Sequence, residues 1–145
     1  MYTLRDVMEE DFVGTLKKVA EIGYEGVEFA GYGGLSQGLR EVLEDTGLKS
    51  VGSHVSLEML RDSLDEVIEM NKTIGTRYVV CPYLGDDCRN TGQMDKVAGI
   101  LTRSGEELAK HGIGFGYHNH SFEFEIKVGD ESVAISYKWL QDNYL

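Results

Sequence analysis

Apolar residues recur along this chain with two different periods. Phe12, Leu16, Val19 and Ala20 fall at i, i+4, i+7 and i+8, the spacing that lines one face of a helix. Leu35, Leu39, Val42 and Leu43 repeat it. So do Leu60, Leu64, Val67 and Ile68, with Glu58, Asp62, Asp65, Glu66 and Glu69 mostly on the wet side. Met94, Val97, Leu101, Leu108 and Ala109 make a fourth, less regular stripe. Each stripe is followed by a glycine and a short apolar run: Ile22-Gly23 before Tyr24–Ala30, Thr46-Gly47 before Leu48–Val55, Ile74-Gly75 before Thr76–Pro82, and His111-Gly112 before Ile113–Asn119. Glycine suits the left-handed position just past a helix end. Helices alternating with strands of this length predict βαβ units, a parallel sheet and right-handed crossovers.

The strands carry a second pattern. Side chains on a strand alternate between faces. Gly26, Glu28 and Ala30 therefore share a face, opposite Val27 and Phe29. Gly52 and His54 share a face, opposite Val51, Ser53 and Val55. Gly114, Gly116, His118 and His120 share a face, opposite Phe115, Tyr117 and Asn119. An open doubly wound sheet is covered by helices on both sides and reads apolar on both. A face of glycines ending in polar groups suits a barrel interior that opens into a polar mouth. The expectation is an α/β fold, a partial (β/α)8 barrel of four to five βα units with helices on one face only. No Gly-x-Gly-x-x-Gly follows the first strand, so the dinucleotide fingerprint is missing. The Gly31-Tyr32-Gly33-Gly34 turn reads as a flexible βα loop, with a phosphate cradle the weaker alternative.

Composition narrows the partners. The net charge of -11 argues against nucleic acid and against an anionic membrane surface, since both are polyanions. No apolar run is long enough to span a bilayer, and no signal-peptide pattern opens the chain. Cys81 and Cys88 make no disulfide framework and read as free thiols of a reducing, cytoplasmic compartment. One proline and no low-complexity linker give a single domain over 1–145.

Charged and polar groups late in strands are the candidate chemistry. Glu28 is an inward carboxylate on an apolar strand, which is costly without a partner. It serves either a site or an ion pair with Arg5. His54 either contacts substrate or caps the barrel mouth. His118 and His120, one strand step apart, either hold a metal, as imidazole commonly does, or bond to loops as ordinary strand-end residues. Arg5 either pairs a substrate phosphate or carboxylate or neutralises Glu28. Cys81 reads as a small buried hydrophobe. Candidate catalytic residues are thus Glu28, His54 and His118, and candidate substrate contacts are Arg5, Tyr83 and Asn119.

Five stretches resemble a known family: Tyr2-Thr3-Leu4-Arg5-Asp6, Gly26-Val27-Glu28-Phe29-Ala30-Gly31-Tyr32, Ser53-His54-Val55-Ser56-Leu57, Cys81-Pro82-Tyr83-Leu84 and Gly116-Tyr117-His118-Asn119-His120. They look like the sugar phosphate isomerase/epimerase family of xylose isomerase-like TIM barrels, in order from Tyr2 to about Gly129. The resemblance implies an active site at the C-terminal mouth, a sugar or sugar phosphate substrate and proton transfer next to its carbonyl. It implies a divalent metal (manganese, magnesium or zinc), for which His118, His120 and Glu123 are the candidate ligands. A keto-polyol dehydratase using the same proton abstraction is a close variant.

The resemblance covers only the first half of a complete barrel, whose usual length is roughly 250 residues. Tyr2–Leu4 looks like the end of a first strand, and the tail from Ser132 to Leu145 can form a helix. The expectation is a truncated barrel, a fragment, or a subunit that completes its fold with another chain. In such a half-barrel Val27, Phe29 and Val51 lie under the helices, while Ala30, Val79 and Cys81 face the open side. Open sheet edges and an uncovered face favour association. The alternative to an isomerase is thus a non-catalytic partial barrel that folds as a homodimer.

Overall fold

A computed structural model of the chain describes residues 1–31, 38–128 and 130–132. Helices α1 (Arg5–Glu10) and α2 (Phe12–Ile22) precede strand β1 (Gly26–Ala30), and α3 (Leu39–Thr46) leads into β2 (Lys49–His54). Helices α4 (Leu57–Asp62) and α5 (Leu64–Ile74) lead into β3 (Tyr78–Cys81), and α6 (Met94–Lys110) into β4 (Gly114–Tyr117). A short α7 (Phe122–Glu125) and an antiparallel pair, β5 (Lys127–Val128) and β6 (Glu131–Ser132), follow. Strands β1 to β4 form one parallel sheet in chain order. The expected glycines Gly23, Gly47, Gly75 and Gly112 all take positive φ, from 70° to 104°. The Tyr32-Gly33-Gly34 part of the glycine turn, Leu35 of the second stripe, and the tail beyond Ser132 lie outside the described residues. Ser132 itself is in β6 rather than a helix.

One face of the sheet meets the helices. Val27 and Phe29 of β1 pack with Leu16 and Val19 of α2, Leu39 and Leu43 of α3, and Ile74. Val79 and Cys81 of β3 pack with Leu57 and Leu60 of α4, Val67 and Ile68 of α5, and Val97 and Leu108 of α6. Between these two clusters runs a polar seam. The Ser50 and Thr76 hydroxyls are 2.6 Å apart, Ser53 Oγ donates to Asn71 Oδ1 at 2.6 Å, and Asn71 Nδ2 donates to the Val67 carbonyl at 2.7 Å. All four of these polar residues are buried, and their pairing removes the desolvation penalty of leaving them alone. The opposite face carries Glu28, Ala30, Val51 and Tyr78, all exposed, and among the described residues no helix covers it.

Four expectations change. Val51 lies on the open face, 47% exposed, because β2 holds one extra residue against β1. Val27 pairs with Ser50 but Glu28 with Gly52, and such a bulge re-aims the side chains beyond it. Ser50 and Ser53 thereby both turn to the helices. Val79 and Cys81 are each fully buried under the helices, because β3 starts at Tyr78, which takes the open face with Val80. Tyr2–Leu4 is a 3-10 turn and Arg5 opens α1, so neither marks a strand end. The third helical stripe is split between α4 and α5 at Ser63, whose φ of -137° and ψ of 36° are not helical.

Two measurements test this packing. Phe29→Ala should lower the unfolding free energy by about 3–5 kcal/mol, whereas Val51→Thr on the open face should change it by no more than about 0.5 kcal/mol. Urea denaturation reads both, and a large loss at Val51 would place it back under the helices. Burial pushes the Cys81 thiol up to about 12, and burial followed by Asp87 raises that of Cys88. Since the thiolate is the reactive form, a thiol reagent at pH 8 should leave Cys81 unlabelled in the native protein and label it in urea. Native labelling of Cys81 would contradict its placement in the core.

Candidate active site

The open face ends in a run of titratable groups. Glu28 and His54 sit on neighbouring strands, with Ala30 registered against His54. His54 Nε2 lies 2.9 Å from Glu28 Oε1, the histidine side chain being 21% exposed and the carboxylate 49%. The His54 ring meets the His118 ring edge-on at 6.1 Å, and the His118 and His120 rings are 4.9 Å apart. The structure thus brings Glu28, His54, His118 and His120 into one string along the C-terminal strand ends.

The glycines of this face make room for it. A Cβ on Gly52 would stand 2.9 Å from Glu28 Oε2 and 3.3 Å from its Cγ, so the absence of a side chain there lets the carboxylate cross to His54. Tyr78 lies over Gly114 in the same way, 2.6 Å from where a Cβ would be, and Val51 over Gly26 at 2.9 Å. The bare backbone of the sequence pattern is a bed for side chains from the next strand.

Beyond β3 and β4 an aromatic group closes one side. The Tyr83 ring meets His120 at 5.2 Å and Phe122 at 5.9 Å, both edge-on, and Phe122 stacks with His120 at 6.0 Å. The Arg89 guanidinium sits 4.3 Å from the Tyr83 ring centre and 4.0 Å from that of Phe122, within cation–π range. Arg89 Nε donates to the Leu84 carbonyl at 2.7 Å, and Nη1 pairs with Asp86 at 3.0 Å. Arg89, Phe122 and Gly52 were not among the sequence candidates. Arg89 follows a short 3-10 turn, Asp86–Cys88, with no periodicity to mark it.

The remaining candidates are placed differently. Arg5 does not reach Glu28. Its guanidinium lies near Asp6 at 3.6 Å, donates to the Tyr2 carbonyl and covers the Tyr2 ring. Asn119 is exposed and its Nδ2 donates to the His120 carbonyl at 3.3 Å. Glu123 is 3% exposed. One of its oxygens accepts from the Tyr117 hydroxyl and the other from the His120 backbone N–H at 2.8 Å. Among the described residues no three His, Cys, Asp or Glu side chains are grouped to hold a metal ion. The two Glu123 oxygens are already engaged. Of the three candidate ligands, His118 and His120 stand side by side, while the Glu123 carboxylate is turned to Tyr117 and the His120 N–H.

A groove between α3 and α5 is lined by Arg40, Lys49 and Lys72, away from these residues. Arg40 and Lys72 are already paired with Glu44 and Glu69, so it has no comparable chemistry. No helix among the described residues is long and apolar enough to cross a membrane.

No protein-family model and no curated protein matches the chain. Solved structures do. A sugar phosphate isomerase/epimerase from Parabacteroides distasonis matches 97% of this chain and 59% of its own at 24% identity, with a TM-score of 0.74. A family 2 AP endonuclease from Brucella melitensis matches 73% of this chain and 48% of its own at 17% identity and TM-score 0.63. A xylose isomerase-like TIM barrel/4-hydroxyphenylpyruvate dioxygenase fusion protein matches 72% of this chain and 19% of its own at 21% identity and TM-score 0.53. The chain spans about half the length of the first two. Likeness at these identities shows the fold: four parallel strands alternating with helices, matching part of a xylose isomerase-like TIM barrel.

Proposed function

We propose that this chain carries the proton-transfer residues of a sugar or sugar phosphate isomerase or epimerase. The observation that carries the reading is the 2.9 Å contact between His54 and Glu28 on the open face, with His118 beside it. A carboxylate bonded to an imidazole is a base held in one orientation by its partner. In this reading the Glu28–His54 pair removes the proton from the carbon next to the substrate carbonyl. The electron pair left behind forms an enediol, and His118 moves the second proton between the neighbouring hydroxyl oxygen and the former carbonyl oxygen. Returning the first proton to the former carbonyl carbon gives an isomer, whereas delivery of a solvent proton to the opposite face of the original carbon, with the first proton left on the base and lost to water, gives an epimer. Tyr83 and Asn119 at the rim contact the hydroxyls.

The reaction has a direct assay. Aldoses, ketoses and their phosphates incubated with the protein in D2O should exchange a carbon-bound proton for deuterium, read by NMR. Glu28→Gln and His54→Gln should each reduce that rate by about 10²–10⁴. Gly52→Ala should approach the same loss, because its Cβ displaces the Glu28 carboxylate. Absence of exchange with every sugar in the panel would reject the reading.

A second reading rests on the open face, where Val51 is 47% and Tyr78 59% exposed. Two copies of the chain that cover these faces with one another would form a homodimer, burying above about 2,000 Å² in total if the interface is of obligate type. Sedimentation equilibrium at micromolar concentration should then give twice the 16.2 kDa of one chain. A folded monomer there would exclude the dimer.

A further inference from the structure

The geometry points to Glu123 as a positioning residue for the histidine turn, an inference that rests on the proton-transfer reading above. Three observations meet at this residue. It is buried at 3% exposure, its Oε1 accepts from the Tyr117 hydroxyl, and its Oε2 accepts from the His120 N–H at 2.8 Å. Tyr117 ends β4 and packs against the helix-side core. His118 extends the ladder by donating its N–H to the Cys81 carbonyl at 3.0 Å, and His120 lies two residues on. The carboxylate thus ties the far end of the turn to a tyrosine anchored in the core. With His118 held at one end and His120 at the other, the turn that presents the His118 ring to His54 is pinned by backbone bonds at both ends.

A simpler role competes with this one. Glu123 stands near the start of α7, and a glutamate there can reach back to cap an N–H before the helix. A cap of that kind needs only one oxygen and no tyrosine. The second bond, to Tyr117, joins turn and strand, and it makes a distinguishing forecast. Loss of the Tyr117 hydroxyl, which leaves the cap intact, should still loosen His120.

Hydrogen exchange and turnover test it together. Tyr117→Phe should speed exchange of the His120 amide by about threefold and Glu123→Ala by about tenfold, with amides in α6 unchanged. Glu123→Gln keeps an acceptor for the N–H and should restore most of the protection. In the D2O sugar assay, Glu123→Ala should lower kcat with KM little changed, and Glu123→Gln should rescue it. Unchanged His120 exchange in Tyr117→Phe, which retains the core packing of the ring, would overturn the clamp. Fast exchange in Glu123→Ala with unchanged kcat would reduce it to a structural cap and overturn the positioning role. If the wild-type chain turns over no sugar, the proton-transfer reading fails, while the exchange data still decide whether Glu123 clamps the turn.

Discussion

Right-handed crossovers between neighbouring parallel strands, taken in chain order, return every connecting helix to the same side of the sheet. Strands β1 to β4 obey that constraint, and the two faces of the sheet therefore have different chemistry. The covered face holds Phe29, Val79 and Cys81, each without exposure. The other holds Glu28 and His54. A doubly wound order would have covered Glu28 with a helix and forced a buried carboxylate to find a cation. Here the carboxylate stays half in solvent and takes a histidine as its partner. The location of the candidate site follows from strand order before any side chain is considered.

The glycines then determine how the open face is used. With no Cβ at Gly52, the Glu28 chain lies across the backbone of β2 instead of rising from the sheet, and its carboxylate meets His54. Tyr78 lies over Gly114 by the same geometry. A strand of larger residues would give a more stable sheet, but its side chains would stand upright and keep neighbouring strands' polar groups apart. Weakening the strand with glycine is the cost of letting polar ends touch across it.

Much of this was readable in the sequence, for reasons that can be named. The four helix-glycine-strand units stood out because periodicity and a left-handed turn are local properties. Glu28, His54, His118 and His120 fell on one face because period two needs only the strand's phase. The errors arose where phase is set by something else. A bulge between β1 and β2 sent Val51 to the open side, and nothing in Lys49–His54 announces an extra residue. The phase of β3 was lost in a run, Tyr78-Val79-Val80-Cys81, that is apolar on both faces. Arg89 and the bond between Tyr117 and Glu123 are tertiary facts with no period.

The polar seam has a consequence of its own. Apolar contacts tolerate sliding, but the bonds from Ser50 and Ser53 to Thr76 and Asn71 are directional. Moving α5 by one turn along the sheet would strand buried hydroxyl and amide groups at about 1–3 kcal/mol each. The seam therefore acts as an index mark that fixes α5, through Asn71, and the loop after it, through Thr76, over β2. It also runs between the cluster around Phe29 and the cluster around Val79, with α5 contributing Ile74 to the first and Val67 and Ile68 to the second. The chain thus buries two adjoining hydrophobic clusters that share one helix, and their mutual alignment is written in two serines, a threonine and an asparagine.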